Sequence, residues 1–347
     1  MMDFKIILNK LSFSEDLTQG EAETAMKLIM SGEISEPQIA SFLTAMRLKG
    51  ETVEELTAFV KVMRSKAVKV NVDVTGAIDL VGTGGDQSGT FNISTAASFI
   101  TAAAGVPVIK HGNRSASSKC GSADVLEHLG ASIELGKEQV EQVFDEINMA
   151  FMFAPMFHPA MKYVMPSRRE IGFRTFFNIL GPMVNPAGVQ RYVIGAFSKE
   201  VAEKMVHILS NLETDFAYTF NAHDGLDEVS LTSQSEIFEL NDKVVSTSIV
   251  FDPESIGFTK VKMKELMGGG KEENAQILTN IISNKATEAQ QGIALLNATF
   301  AIQASGKVEK LEDAKKMAME ALESGKARKL FNDFIDATND AMGTFKY

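Results

Sequence analysis

The sequence predicts an α/β fold in which a small N-terminal helical domain packs on a larger α/β domain with a mainly parallel central sheet. Two observations predict it: helix-start signals recur through the first 72 residues, and strand-like runs alternate with helix-like runs after residue 73. The chain has 347 residues, of which 45% are hydrophobic, and this suffices for two compact domains. We expect a helical domain at 1–72, joined by helices from about 165–190, and an α/β domain at 73–347.

Three capping boxes predict the helices of the first domain. In Thr18–Glu21, Ser35–Gln38 and Thr52–Glu55 a hydroxyl residue stands three positions before Glu or Gln. In this arrangement side chains satisfy backbone N–H groups that have no partner at a helix start. Apolar residues then recur at the spacing of one helix face: Ile39, Phe42, Leu43 and Met46, followed by Leu56, Phe59, Val60 and Met63.

The rest of the chain alternates short apolar runs with helix-like segments, which predicts βαβ units and a largely parallel sheet. The expected strands are Ile78–Val81, Val106–Ile109, Ala150–Phe153, Tyr192–Phe197 and Phe216–Phe220. One expected helix starts at Asn92, and the others are Ala123–Leu129, Lys137–Asn148 and Lys199–Leu212. Lys243–Phe258 suits additional antiparallel strands, and the last eighty residues are expected to be helical.

Charge and cysteine content exclude several classes of protein. The formal net charge is −11, from 34 Lys and Arg against 45 Asp and Glu, which argues against binding duplex nucleic acid through a broad basic face. The single cysteine, Cys120, excludes a disulfide scaffold and fits a reducing compartment. No apolar run has the length of a signal peptide core or a membrane span. We therefore expect a soluble, cytoplasmic protein without nucleic-acid or membrane partners.

A glycine-rich turn follows the first expected strand. Gly82, Gly84 and Gly85 precede Asp86, and glycines let the backbone take positive φ and approach a ligand closely. Successive N–H groups in such a turn bind anions. A plain strand-to-helix turn is the alternative, since the turn matches neither a Walker loop nor the dinucleotide motif. Asn92–Thr95 then offers more hydroxyl and N–H groups at a helix start than one N-cap requires.

A second polar loop follows the second expected strand. Lys110–Arg114 stands where α/β sheets gather ligands, at a strand's carboxyl end. The residues from Ser115 to Ser122 add many small donors beside these cations, as a polyphosphate requires, and a charged surface loop is the alternative. Cys120 has no evident His or Asn relay, so we interpret it as a lining residue rather than a nucleophile.

Two further motifs carry charge at expected ligand positions. Asp227 and Glu228 follow a strand, and adjacent carboxylates suit Mg²⁺, which keeps waters and bridges to phosphates. Ordinary surface acids are the alternative. His158, Arg168 and Arg174 lie in a helix-like stretch, where one or two arginines could hold a substrate carboxylate bidentately. The residues alone thus predict an α/β protein that binds a phosphate-rich ligand with Mg²⁺, and they leave the reaction open.

These motifs occur in the order and spacing of one known family. The strings GTGGD, NIST, KHGNRSASSKCGSADVLEHLG, HPAM, SRREIGFRTFFNILGPMVNP and HDGLDE resemble the anthranilate phosphoribosyltransferases over nearly the whole chain. The resemblance implies the architecture shared with certain nucleoside phosphorylases, and a homodimer joined through the helical domains. It implies Mg²⁺-dependent transfer of phosphoribosyl from 5-phosphoribosyl 1-pyrophosphate to the amine of anthranilate, a step of tryptophan biosynthesis.

The resemblance also implies roles for individual residues. Phosphoribosyl pyrophosphate is expected to contact Gly82, Gly85, Asp86, Thr90, Asn92, Ile93, Ser94, Thr95, Lys110, His111, Gly112, Asn113, Arg114, Ser115, Ala116, Ser117, Ser118 and Cys120. Anthranilate is expected to contact Gly82, Asn113, His158, Arg168 and Gly181. Two Mg²⁺ ions per subunit would be organised by Ser94, Asp227 and Glu228. No residue is assigned as a general acid or base. Cys120 stands where a small polar residue is expected, and a thiol is a weaker donor.

Two alternatives remain at this stage. A pyrimidine nucleoside phosphorylase shares the implied architecture and the chemistry at the anomeric carbon, but it leaves the pair Asp227 and Glu228 without a function. A non-catalytic relative that binds nucleic acid is expected to have a basic groove and to lack the acidic pair. The net charge of −11 and the presence of both acids disfavour that second alternative.

Overall fold

The computed structural model describes residues 3–86, 88–115 and 119–344. Its first helices are α1 Phe4–Ser12, α2 Gln19–Ser31, α3 Glu36–Lys49 and α4 Val53–Lys66. The predicted capping boxes start three of them. Thr18 Oγ1 accepts from Glu21 N at 3.3 Å, and Thr52 Oγ1 accepts from Glu55 N at 3.2 Å. Ser35 N donates to Gln38 Oε1 at 3.4 Å. The N-terminal helical domain is confirmed.

The described residues form one mixed sheet of eight strands. The strands are β1 Ile78–Gly82, β2 Val108–Gly112, β3 Met149–Phe153, β4 Arg191–Gly195, β5 Phe216–Ala222, β6 Ser235–Asn241, β7 Val244–Val245 and β8 Ile249–Phe251. Their spatial order is β3-β2-β1-β4-β5-β6-β7, and β8 also pairs with β6. The five strands from β3 to β5 are parallel, whereas β6, β7 and β8 pair antiparallel. The mainly parallel sheet is confirmed.

Helices connect the strands and complete the C-terminal part. They are α5 Ile93–Ala103, α6 Ser122–His128, α7 Lys137–Ile147, α8 Ala154–Phe157, α9 Met165–Ile171, α10 Phe177–Leu180, α11 Lys199–Ser210, α12 Lys271–Ile282, α13 Glu288–Ala304, α14 Leu311–Glu323 and α15 Lys326–Thr344. Short 3₁₀ turns occur at Pro159–Tyr163, Gly181–Met183, Pro253–Ile256 and Met263–Glu265. Helices α5 and α13 pack on each other and on β1 and β4, so they bury the centre of the sheet.

The segment from α8 to α10 leaves the sheet and packs on the helical domain. Helix α9 contacts α3, α10 contacts α4, and the turn Pro159–Tyr163 contacts α2. The ring of Phe176 lies 4.7 Å from that of Phe59 and 6.1 Å from that of Phe42, measured between centroids. Ser167 Oγ donates to Glu36 O at 3.1 Å. These contacts join the α8–α10 region to the helical domain. The domain bounds, with the division at residue 72 and the added helices at about 165–190, stay predictions.

Three strands differ from the sequence-based expectation. Strand β4 ends at Gly195, two residues before the predicted end at Phe197, because Phe197 N donates to Thr83 Oγ1 instead of to a neighbouring strand. Strand β2 begins at Val108, two residues after the predicted start at Val106, because Pro107 has no N–H to donate to the ladder. The carbonyl of Pro107 instead accepts from Ile78 N at 3.0 Å. Strand β6 was not predicted: the adjacent Ile237 and Phe238 break the alternation typical of a half-buried strand, and pairing with β5 forms it.

Candidate functional site

Strand β1 stands at the point where the strand order of the sheet reverses. From β1 the chain proceeds outward to β2 and β3, and it then returns to β4 on the other side of β1. Ligands of open α/β sheets bind outside the carboxyl ends of the strands at such a point. Gly82 ends β1, Gly195 ends β4, and the two are register partners. The predicted glycine turn therefore begins at the switch point.

Asp227 packs directly on these two strand-end glycines. A Cβ atom on Gly82 would lie 2.5 Å from Asp227 Oδ2, and one on Gly195 would lie 1.7 Å from Asp227 O. Any side chain at either position would thus displace the aspartate. Gly84 N donates to Asp227 Oδ2 at 2.7 Å, which ties the glycine turn to the carboxylate. The sequence pattern did not single out Gly195; a glycine inside the strand-like run Tyr192–Phe197 was the available signal.

Asp227 and Glu228 form a buried carboxylate pair. They are 9% and 8% exposed, and Ser94 N at the start of α5 donates to Glu228 Oε1 at 3.0 Å. Burial raises the pKa of both carboxyls; the charge of Asp86 raises the pKa of Asp227 further, and that of Asp227 raises the pKa of Glu228. Both effects come from concentrated negative charge away from water, and a bound cation would relieve them.

The donor set at this pair fits a hard divalent cation. Within the described residues, no group of three or more His, Cys, Asp and Glu side chains is arranged to hold a metal ion by itself. Mg²⁺ is usually bound by one or two carboxylates, with waters and substrate phosphates completing its shell. Asp227 and Glu228 match that pattern, and the backbone of Ser94, the third predicted ligand, contacts Glu228. The residues present therefore fit Mg²⁺ held jointly with a phosphate ligand.

The turn after β1 is shaped by its backbone and braced by an arginine. Gly84 and Gly85 have φ values of 68° and 75°, a region that strongly favours glycine. The guanidinium of Arg174 donates to Gly85 O, and its Cζ lies 4.7 Å from the centroid of the Phe197 ring. Asp86 is the last residue of the motif, and its Oδ1 accepts a hydrogen bond from Ser88 N at 3.4 Å. The α8–α10 region thus reaches the predicted anion site.

The start of α5 lies at the same edge of the sheet. Ser94 contacts the acid pair through its backbone, as described above. Ile93 and Thr95 are each 1% exposed, so their side chains belong to the core and their backbone is what a ligand would meet. Asn92 is engaged on both sides: its Nδ2 donates to Cys120 O at 3.1 Å, and its Oδ1 accepts from Asn274 Nδ2 at 3.1 Å.

Lys110 is a buried cation beside the carboxylates. Its side chain donates to Leu80 O, and its Nζ lies 3.4 Å from Ser94 Oγ. Burial lowers the pKa of Lys110, while the charges of Asp79, Glu228 and Asp227 oppose that effect. Lys110, which the sequence predicted at this site, therefore lies close enough to the acid pair for the charges to interact.

Asp79 anchors the end of β2 from within β1. Its Oδ1 accepts from His111 N at 3.2 Å and its Oδ2 from Asn185 Nδ2 at 2.8 Å. Asn185 also donates to Ile109 O at 2.9 Å, and burial raises the pKa of Asp79 to about 7. Neither Asp79 nor Asn185 was predicted, because their partners are far apart in sequence; a charged residue inside an apolar strand was the signal for Asp79.

The loop after β2 is tied to α6 through Asp124. Ser115 N and Gly121 N donate to Asp124 Oδ2 at 3.0 and 2.8 Å, so the two ends of the loop share one carboxylate. The guanidinium of Arg114 lies 3.3 Å from Asp124 Oδ1 and 2.6 Å from Glu127 Oε2. In this structure Arg114, a predicted phosphate ligand, is therefore paired with carboxylates of α6.

Other members of the predicted phosphate loop differ in their surroundings. Asn113 is exposed, and its Oδ1 accepts from Arg114 N at 2.8 Å. Gly112 is closely packed, since a Cβ there would lie 2.5 Å from the ring of Phe151. Burial raises the pKa of the Cys120 thiol to about 11, which opposes nucleophile activation. Ala116, Ser117 and Ser118 lie outside the described residues.

His158 brings the α8–α10 region to the end of β2. Its ring centroid is 5.1 Å from that of His111. Burial lowers the pKa of His111 to about 3 and that of His158 to about 4, so both imidazoles are neutral near pH 7. Across the described part of the chain, His111 Nε2 lacks a hydrogen-bond partner, whereas the backbone of Val184 faces the His158 ring. Two neutral rings side by side suit a planar aromatic ligand.

Arg168 on α9 presents a guanidinium that is largely withdrawn from water. Its Nη2 lies 3.5 Å from Asn178 Oδ1, and its Cζ lies 5.2 Å from the centroid of the Phe177 ring. Burial lowers the pKa of Arg168, and among the described residues no carboxylate pairs with it. Gly181 has no atom within 4 Å of where a Cβ would lie, so it borders open space. Both features are those of a site for a small anion-bearing ligand.

No helix in the described residues is long and apolar enough to cross a membrane.

The profile described as "Glycosyl transferase family, a/b domain" matches residues 74–328, and that described as "Glycosyl transferase family, helical bundle domain" matches residues 5–67. The chain is 45% identical over 338 residues to the anthranilate phosphoribosyltransferase of Salinibacter ruber, covering 96% of this chain and 98% of that protein.

Solved structures agree with these sequence matches. The crystal structure of anthranilate phosphoribosyltransferase from Thermus thermophilus superposes with a TM-score of 0.90 at 36% identity, covering 97% of this chain and all of that one. The enzyme from Saccharomyces cerevisiae, in complex with phosphoribosyl pyrophosphate and Mg, has a TM-score of 0.89 at 25% identity, with coverage of 97% and 98%. The chain belongs to the anthranilate phosphoribosyltransferase family.

Proposed function

We propose that the protein transfers phosphoribosyl from 5-phosphoribosyl 1-pyrophosphate to the amine of anthranilate, giving N-(5-phosphoribosyl)anthranilate and pyrophosphate in tryptophan biosynthesis. The observation that supports it most is the convergence of three groups at one edge of the sheet. These are the acid pair at the switch point, the backbone N–H groups of the glycine turn, and the segment that carries His158 and Arg168. The first two suit a polyphosphate with its cation, and the third suits an aromatic carboxylate.

The donor substrate lies along the turn after β1 and the loop after β2. The backbone around Gly85 offers N–H groups to phosphate oxygens, and Lys110 adds an amino group whose ionised form is favoured by the charges of Glu228 and Asp227. The bond from the anomeric carbon to the pyrophosphate oxygen breaks as the amine nitrogen attacks, through a state resembling an oxocarbenium ion, as in glycoside cleavage. These groups thus act by stabilising charge that develops on the departing pyrophosphate.

Asp227, Glu228 and Ser94 organise Mg²⁺, with two ions per subunit. When bound, Mg²⁺ neutralises the negative charge of the pyrophosphate group. The chain's own contribution is to hold the two carboxylates in place: Gly84 N and Ser94 N each donate to one of them. Since Asp227 and Glu228 are adjacent in sequence, these two hydrogen bonds also hold the glycine turn close to the start of α5.

The acceptor substrate lies between the end of β2 and the α8–α10 region. Arg168 pairs with the carboxylate of anthranilate, a contact that a guanidinium makes bidentately. Asn113, His158 and Gly181 line the same space, and they hold the amine opposite the leaving pyrophosphate, which lowers the entropic cost of reaction. No residue acts as an assigned general base, since an aromatic amine can lose its proton after the attack.

The helical domain joins two copies of the chain into a homodimer. Helices α1 and α3 pack on each other, and they and the residue after α1 expose Ile6, Phe13 and Leu48, the last with 82% of its surface. Exposed apolar clusters mark association surfaces in soluble proteins. Sedimentation equilibrium of the purified chain tests this, and a monomer at micromolar concentration would contradict it.

The proposed location of the protein is the cytoplasm. A single, buried cysteine in 347 residues suits that reducing compartment.

The reaction is tested directly by following anthranilate fluorescence with phosphoribosyl pyrophosphate and Mg²⁺. The chain has no tryptophan, so its own emission interferes little with the signal. We expect consumption of anthranilate that stops when a chelator removes Mg²⁺. Phosphorolysis of uridine or thymidine in a parallel assay that supplies inorganic phosphate, without turnover of anthranilate in the first assay, would instead assign a nucleoside phosphorylase.

A further inference from the structure

The segment from Leu266 to Asn274 runs beside the turn after β1. Phe91 N donates to Leu266 O at 3.3 Å, and Gly268 N donates to Gly89 O at 2.9 Å. Between these contacts, Thr90 and Met267 form an antiparallel bridge. This short ladder fixes residues 89–91 from the side opposite to β1.

Asn274, on the first turn of α12, continues the ladder through its side chain. Its Oδ1 accepts from Gly269 N at 2.8 Å, and its Nδ2 donates to Asn92 Oδ1 at 3.1 Å. The residue is 3% exposed. Gly268 permits this close approach, since a Cβ there would lie 2.4 Å from Asn274 Oδ1 and 2.7 Å from the backbone of Phe91.

Asn92 passes the contact on to the other loop. While its Oδ1 faces Asn274, its Nδ2 donates to Cys120 O at 3.1 Å. The orientation of the Asn92 amide is set by both contacts. A flipped amide would turn its oxygen towards the carbonyl of Cys120 and its NH₂ group towards that of Asn274, and both hydrogen bonds would be lost. The two carboxamides therefore form a directional relay from α12, through the start of α5, to the end of the loop after β2.

We propose that Asn274 is a positioning residue for phosphoribosyl pyrophosphate, which holds the turn after β1 and the loop after β2 in register with each other. This rests on the proposed function, in which both segments bind that substrate. Loss of the relay is expected to weaken binding of the phosphate-bearing substrate and to leave the chemical step and the anthranilate site in place.

The test is Asn274→Asp, which keeps the acceptor for Gly269 N and removes the donor to Asn92. We expect the KM for phosphoribosyl pyrophosphate to rise about tenfold, the size of one lost buried hydrogen bond. The kcat and the KM for anthranilate are expected to stay within about twofold, because their groups are untouched. Gln276→Glu is the matched control: it makes the same amide-to-acid change on an exposed position of the same helix and is expected to leave all three constants unchanged.

Amide hydrogen exchange gives a second readout that does not depend on turnover. Without substrate, peptides covering residues 88–95 and 119–128 are expected to exchange faster in the Asn274→Asp chain than in the control. If that variant does not fold, Asn274→Ala, which adds no buried charge, takes its place. A fall in kcat at constant KM, or unchanged exchange in both peptides, overturns the proposal. Should the unaltered enzyme not turn over anthranilate, the proposed function fails, and the exchange result still decides the relay.

Discussion

Two side chains at the switch point, Asp227 and Glu228, carry the proposal that this site holds a cation. Asp227 and Glu228 have their pKa raised by burial and by neighbouring carboxylates, so their ionised forms cost stability until a positive charge binds. We expect the double variant Asp227→Asn, Glu228→Gln to lose at least about 100-fold in kcat/KM. Its unfolding temperature without Mg²⁺ is expected to equal or exceed that of the unaltered chain, because the repulsion is removed.

Differential scanning fluorimetry with and without Mg²⁺ and phosphoribosyl pyrophosphate checks this. The unaltered chain is expected to gain stability from the combination, as any ligand of the native state provides, and the double variant is not. Glu312→Gln with Asp313→Asn makes the same change in net charge on exposed and half-buried positions of α14 and serves as the control. A double variant with ordinary rates would remove the cation from this pair.

The proposed contact of Arg168 with the carboxylate of anthranilate depends on geometry as well as on charge. Arg168→Lys keeps the positive charge but loses the planar fork that matches a carboxylate. We expect the KM for anthranilate to rise about tenfold or more, with the KM for phosphoribosyl pyrophosphate within about twofold. Arg169→Lys, on the exposed neighbour, is the matched control. Equal effects on both substrates would place Arg168 outside the anthranilate site.

At the scale of elements, the close approach of the acid pair to the sheet depends on how β1 and β4 end. Gly195→Ala places a Cβ 1.7 Å from Asp227 O, and the strand or the loop must move to accommodate it. We expect a loss of at least about 2 kcal/mol in the free energy of unfolding, typical of overpacking, and a loss of activity from displaced Asp227.

Chemical denaturation monitored by circular dichroism measures this change. Gly20→Ala on α2 is the control, since no atom lies within 4 Å of its Cβ position and alanine is the better helix former. That control is expected to be as stable as the original chain or slightly more stable. A Gly195→Ala protein with normal stability and activity would show that Asp227 adapts without cost.

At the scale of the whole molecule, buried neutral histidines make stability depend on pH. The pKa of His158 is lowered by burial to about 4, against about 6.5 in an unfolded chain. Between these values the unfolded chain binds a proton that the folded chain does not, so stability is lost as the pH falls from 6.5 towards 4. We expect His158→Gln to reduce this slope by about 1.4 kcal/mol per pH unit.

Denaturant midpoints at several pH values between 4 and 7 measure the slope. The control is His207→Gln, on an exposed position of α11, and it is expected to leave the slope unchanged. His111 has the same kind of shift, so a slope remains in the His158 variant. An unaltered slope after removing His158 would mean that its imidazole is protonated in the folded protein.

Local signals in the sequence were enough to predict the helical domain and the five parallel strands along the chain. Thr18 and Thr52 start helices because their capping partners lie three residues away, so the interaction needs no tertiary context. The motifs at the ends of β1 and β2 were predicted as ligand sites for the same reason: they follow apolar strands, and parallel strands present their carboxyl ends at one edge.

Long-range contacts account for what the sequence could not predict. Gly195 is needed because Asp227 packs on it from 32 residues away, and Asn274 reaches Asn92 across 182 residues. Strand β6 forms because β5 offers it a partner, although its own alternation is irregular.

By itself the sequence determined the two-part architecture, the candidate phosphate-binding turns, the candidate cation pair and the family to which the chain belongs. The tertiary structure alone decided which side chains are engaged elsewhere, as Arg114 is with Glu127. It also decided which distant residues brace the site, as Asp79 and Asn274 do. The physical reason is that hydrogen-bond geometry and burial depend on where the folded chain brings separate segments together, and short sequence patterns do not record that.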